Sequence, residues 1–190
     1  ANANRLVLLD EQRQVRTEVN LAELQRLLDF AKTGAPGLLT TIIAESEQVD
    51  IGEDTISVGG SIMRYRATLQ KPPSASMATE YATFADALAR LNAGREPAAL
   101  PYARLKLNSV LGGQAVLPKE VTKTLSLGSK PQVQRSILHA TWRLSSEHER
   151  RVNDIQSKLV SFQLVAQKDF FPQPMRAAAA PGTTPATGNN

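Results

Sequence analysis

Two hydrophobic periods alternate along this chain, one near two residues and one near 3.6, and together they outline its elements. Residues 5–18, RLVLLDEQRQVRTE, set an apolar run and a polar alternating run on either side of Asp10-Glu11-Gln12, which predicts a two-stranded hairpin. Asn20 with Glu23 three residues on is a helix-start signal. Leu21, Leu24, Leu28 and Ala31 then line one side of a short amphipathic helix that Gly34 and Pro36 close. Residues 37–47, GLLTTIIAESE, are apolar, β-branched and short, so they predict a strand. A turn at Asp50, Gly52, Glu53 and Asp54 follows.

Residues 55–71, TISVGGSIMRYRATLQK, read as one alternating strand. Met63, Tyr65, Ala67 and Leu69 fall on one face, and Arg64, Arg66, Thr68 and Gln70 on the other. Pro72 and Pro73 stop it, since neither donates a ladder hydrogen bond. From 77 to 94 the spacing of Tyr81, Phe84, Ala85, Leu88 and Leu91, closed by Gly94, predicts a helix. After the link 95–101, YARLKLNSVL predicts a strand with Arg104, Lys106 and Asn108 on its polar side, and Gly112-Gly113 a turn. A further strand is expected near 120–127, then a turn over Gly128-Ser129-Lys130-Pro131. Residues 132–144 alternate again, Leu138, Ala140, Trp142 and Leu144 standing opposite Arg135, Ile137, His139, Thr141 and Arg143. Ser146 and Glu149 make a capping box, and Val152, Ile155, Leu159, Phe162 and Ala166 carry a last helix to about Lys168. The remaining residues, 172–190, are rich in Pro, Ala, Thr and Gly and predict a flexible tail.

With 190 residues, 42% of them hydrophobic, the chain is long enough to bury a core as one domain, here residues 1–171. No apolar run approaches a membrane span and ANANRLVLL lacks the layout of a signal peptide, so no membrane partner is expected. A soluble cytosolic or particle-bound protein, starting at an Ala1 exposed by loss of an initiator methionine, is the expectation. The absence of cysteine removes disulfides, thiolate metal sites and thiol nucleophiles. Residues 1–100 hold ten Lys/Arg against thirteen Asp/Glu, while residues 101–190 hold twelve against five, so the net charge of +4 conceals an acidic first part and a basic remainder.

No nucleotide-binding loop, nucleophile elbow or zinc-protease motif occurs. The glycine pair at 59–60 reads as a bulge or kink within the strand. His139 is either a base-contacting group or an ordinary half-exposed histidine, and His148 between Glu147 and Glu149 reads as solvated. Asp10, Glu11, Asp50, Glu53 and Asp54 fall in turns, which gives little ground for paired-carboxylate catalysis. No enzyme activity, metal or cofactor is expected. If the strands carrying Arg64, Arg66, Thr68 and Gln70, then Arg104 and Lys106, then His139, Thr141 and Arg143 are neighbours, one sheet face is a basic, hydroxyl-rich floor able to hold nucleic acid. Any antiparallel sheet with one wet face alternates in the same way.

Three stretches carry a family likeness. RLVLLDEQRQVRTEV, SIMRYRATLQKP and SILHATWRLSSEHERRVNDIQSKLVSF resemble the N-terminal hairpin, the central strand, and the last strand with first C-terminal helix of single-stranded RNA bacteriophage coat proteins. The resemblance implies an α+β fold: an N-terminal hairpin and antiparallel sheet, with the C-terminal helix packed across a dimer partner. It also implies assembly into an icosahedral capsid in the bacterial host cytoplasm and RNA binding on the sheet's inner face. Matching strands place Arg64, Arg66, Thr68, Gln70, Ile137, His139, Thr141 and Arg143 toward RNA. Tyr65, Leu69, Trp142 and Leu144 would pack beneath the helices. The chain departs from the family in its length, in the capped helix after the hairpin, in an extra helical insertion at about 74–118 and in its tail. The rival readings are another virion or assembly component, such as a connector or decoration protein, and a nucleic-acid-binding regulator.

Overall fold

The computed structural model describes residues 4–35, 37–93 and 100–171. Pro36, Gly94, most of the 95–101 link and the 172–190 tail lie outside the described residues. The chain divides into two compact units: Ala1–Leu6 with Asn20–Arg151, and Val7–Val19 with Val152–Asn190. The strands β1 (Arg5–Asp10) and β2 (Val15–Asn20) form the expected hairpin and belong to a three-stranded sheet in the order β1-β2-β8, where β8 is Gln163–Leu164.

In the larger unit, Asn20 caps α1 (Leu21–Thr33), its side chain accepting from the Ala22 and Glu23 amides. There follow α2 (Gly37–Glu45), β3 (Val49–Ile51), β4 (Thr55–Gly59), β5 (Met63–Gln70), α3 (Ala75–Ala93), α4 (Tyr102–Gly113), β6 (Leu117–Leu125) and β7 (Gln132–Ile137). The five strands make one antiparallel sheet in sequence order, β3 to β7, with α3 and α4 inserted between β5 and β6. Pleating sends Ile56 and Val58 of β4, Met63, Tyr65 and Ala67 of β5, and Val121 of β6 to one face. There they meet Ala103, Leu107 and Leu111 of α4 and Ile42 of α2 in the main core. Fully burying a leucine such as Leu107 contributes about 1.5–3 kcal/mol.

Polar contacts tie the helices to one another. Asn108 is completely buried and its Nδ2 donates to Asp86 of α3 at 2.8 Å. Arg90 donates to Gln25 at 2.7 Å, and the Tyr102 hydroxyl donates to the Leu28 carbonyl at 3.2 Å.

Several expectations give way here. Residues 37–45 are helix, because Ile42 and Ile43 gain burial that outweighs their strand preference. YARLKLNSVL is also helix: beneath its alternation lies a four-residue spacing, Ala103, Leu107 and Leu111, and that spacing meets the sheet. Gly112 and Gly113 end this helix. The predicted strand over 55–71 is two strands, since the backbone reverses at the glycine pair. Gly59 has φ of +104°, and a Cβ there would stand 2.2 Å from the Met63 carbonyl oxygen. At Gly60 a Cβ would strike the Glu45 side chain, whose carboxylate crosses the turn to accept from the Ser61 hydroxyl at 2.8 Å and the Ile62 amide at 3.2 Å. The strand predicted over 132–144 stops at Ile137.

The smaller unit holds β8 in parallel register with β2, Val15 opposite Gln163 and Arg16 opposite Leu164. Arg13 fastens the C-terminal segment: its guanidinium donates to Asp10 at 2.7 Å, to the Asp169 and Phe170 carbonyls, and lies 5.5 Å from the Phe170 ring centroid. Thr17, fully buried, donates to the Val165 carbonyl at 2.9 Å. The last long helix, α5 (Ser146–Ser161), stops short of the expected Lys168, and a separate short helix, α6 (Gln167–Phe170), follows. Its cap is Ser145 rather than Ser146: the Ser145 hydroxyl accepts from the His148 amide, and His148 Nδ1 accepts from the Ser145 amide at 3.3 Å. A histidine thus completes the reciprocal pattern expected of Glu149.

Gly59→Ala is expected to lower unfolding free energy by about 1–3 kcal/mol through forced positive φ and the carbonyl clash, read as a fall in urea midpoint at unchanged m-value. An unaltered midpoint would contradict the turn geometry.

Candidate nucleic-acid interface

The face opposite α4 is open. Register across the sheet puts Asp50 of β3, Thr55 and Ser57 of β4, Arg64, Arg66 and Thr68 of β5, Glu120, Thr122 and Thr124 of β6, and Val133, Arg135 and Ile137 of β7 on it. The cause is the two-residue period of β5. Once Met63, Tyr65 and Ala67 are buried, the side chains between them face outward. Tyr65 is the packing residue the alternation implies, and burial pushes its phenol above the ordinary tyrosine value. Leu69 packs at the margin of the core.

Charge on this face is distributed unevenly. Arg135 pairs with Glu120, which also accepts from Thr122 at 3.3 Å. The Arg135 hydrogen bond holds the Glu120 carboxyl below its usual range. Glu45, at the β4–β5 turn, is held low chiefly by the Ser61 and Ile62 hydrogen bonds, with a smaller attraction from Arg64. Among the described residues, Arg64, Arg66 and Asp50 make no ion pair and no side-chain hydrogen bond. Beside them lies a hollow of about 310 Å³ bordered by Gln48, Val49, Asp50, Thr55, Ser57, Gly59, Arg64 and Arg66.

Of the residues singled out from sequence, Arg64, Arg66 and Thr68 stand together on this face. Gln70 does not join them: pairing shifts between Thr68 and Leu69, and the Gln70 amide donates to the Pro118 carbonyl at 3.1 Å. Arg104 and Lys106 lie on α4, which packs on the other face; Arg104 donates to the Tyr81 hydroxyl at 2.9 Å and Lys106 pairs with Glu47 at 2.6 Å. Ile137 ends β7 and is exposed. His139, Thr141 and Arg143 follow the strand and are exposed outside the sheet, so strand parity no longer assigns them to its face. Trp142 and Leu144, expected beneath helices, are exposed as well. Sequence reasoning left out Thr55, Ser57, Thr122 and Thr124. The alternation of Thr55 and Ser57 with Ile56 and Val58 is their local signal, but only strand register brings them beside β5.

No family model, curated protein or solved structure matches the chain. Among the described residues, no group of three or more His, Cys, Asp or Glu side chains is arranged to hold a metal ion, and no helix is long and apolar enough to cross a membrane.

The low Glu120 value carries a sign. A carboxyl depressed by folding adds stability above its unfolded value and loses it as pH falls through the depressed folded value. Glu120→Gln is therefore expected to make the urea midpoint fall less steeply than in the parent between neutral and acidic pH. An acid profile identical to the parent's would refute the pairing.

Proposed function

We propose that this chain is a coat-type structural subunit that pairs with a second copy, assembles into a closed icosahedral shell and holds single-stranded RNA against the open face of its five-stranded sheet. The observation that carries this reading is the division of that sheet: one face buried under α4, the other open and presenting Arg64, Arg66 and a set of hydroxyls. Guanidinium groups held in no ion pair contact phosphates, while short hydroxyl side chains reach base edges.

The order of elements supports the same reading. A hairpin, a five-strand meander and a C-terminal helix follow in the sequence that the resemblance to RNA-phage coat proteins implies, with α1–α2 and α3–α4 as added segments. Pairing with a second copy answers two exposed features. Among the described residues, the edge strand β7 bonds only to β6, and it exposes all six residues, including Val133 and Ile137, an arrangement that invites another strand. Helix α5 buries no residue and exposes Val152, Ile155 and Val160. Sixteen residues make a marginal helix in water unless an apolar face is covered. A two-fold contact covers the same surface on both copies at once.

Electron microscopy of the purified protein is expected to show closed particles with co-purifying RNA. A discrete monomer that binds RNA would instead favour a regulator. Arg64→Ala with Arg66→Ala should reduce the RNA content of the particles and lower the salt-dependence slope by about 1.4, two phosphates, without altering subunit association. RNA content equal to the parent would overturn the assignment of this face. Leu159→Asp sets a charge on the apolar side of α5 and should prevent particle formation. Intact particles from that variant would rule α5 out of the subunit contacts.

A further inference from the structure

We infer that the hollow beside β3, β4 and β5 is a guanine-selective subsite for single-stranded RNA, with Asp50 accepting from the base N1–H and N2–H groups and Arg66 donating to its O6 and N7. This inference rests on the reading of the open face as an RNA-binding surface and adds to it a base preference.

The geometry comes from register. Asp50 lies directly opposite Ser57, and Ser57 directly opposite Arg66, so the three form a row across three strands on the same face. Neighbouring strands are about 4.8 Å apart, which sets the Asp50 and Arg66 backbones about 10 Å from each other. Between them stands only the short Ser57 side chain, with Gly59 beside it contributing none. The floor of the row is therefore low at its centre and bordered at each end by a longer, charged side chain. The hollow measures about 310 Å³, at the small end of ligand pockets. Asp50 and Arg66 border it without pairing with one another or with any other described side chain, so both keep their hydrogen-bonding capacity for a ligand between them.

The two ends ask for different things. An ionised carboxylate only accepts and a guanidinium only donates, and each is bidentate. A base lying between them must offer two adjacent donors on one side and two adjacent acceptors on another. Guanine has both, and an arginine fork on its O6 and N7 is the commonest specific base contact. Adenine sets one donor beside an acceptor on its pairing edge. Uracil flanks its N3–H with two carbonyls, which repel a carboxylate. Cytosine carries its donor and acceptors along one edge and cannot serve two groups facing each other. Arg64, opposite Gly59 in the register, stands next to the same hollow and is placed for the adjoining phosphate.

The test is fluorescence anisotropy of the full chain with labelled RNA pentamers UUUUU, UUGUU, UUAUU and UUCUU. UUGUU is expected to bind about 5- to 150-fold more tightly than the others, the range that a good bidentate base contact confers. Asp50→Asn, at an exposed position of an edge strand, should abolish that preference, because an amide opposes two donors with a donor of its own. Equal binding of all four pentamers, or a guanine preference that survives in Asp50→Asn, would overturn the subsite and leave the RNA-binding face standing. Binding of no pentamer would overturn the face and the subsite together.

Discussion

Leu107 and Leu111, wholly buried against Ile56, Val58 and Ala67, decide which side of the five-stranded sheet is dry. Side chains in a strand alternate strictly, so seating α4 on one set of positions assigns every intervening position to water. A slip of one residue in β5 would bury Arg64 and Arg66 and expose Met63, Tyr65 and Ala67, which burial forbids. The orientation of the candidate interface is thus a consequence of core packing. The turn before β5 protects this register, because Gly59 adopts a conformation that places Met63 correctly and Glu45 clamps the loop from the end of α2.

Electrostatics on the open face is a matter of pairing more than of total charge. Among the described residues, three cations of the second half are held by carboxylates: Lys106 by Glu47, Arg135 by Glu120, and Lys158 by Glu11 and Asp154. Exposed pairs of this kind add little stability, but each removes a cation from the pool available to a polyanion. The arginines that remain without a carboxylate on the sheet, Arg64 and Arg66, come from the more acidic first half. Position along the sequence does not say which face a cation joins, since strand pairing brings together residues more than fifty positions apart.

Much of the local structure was legible. The hairpin, the cap at Asn20, the alternation of β5 and the α3 helix follow from spacing and end signals that act within a few residues. The errors share one physical origin. In GLLTTIIAE and YARLKLNSVL the residues are compatible with either period, and contact with the sheet and neighbouring helices selected the helical one. Past Ile137 the alternation continues in the letters while the strand does not, which removes His139, Thr141 and Arg143 from the sheet.

The amino-acid sequence by itself determined the period of each unambiguous element and the identity of the outward-facing trio Arg64, Arg66 and Thr68, because alternation is a local property of the backbone. Tertiary structure alone decided that α4 supplies the covering layer and that Asp50, Ser57 and Arg66 form one row. It also decided which cations are already paired. These depend on register and packing between distant segments, and free energy at such contacts is set by what a side chain meets, which no local pattern specifies.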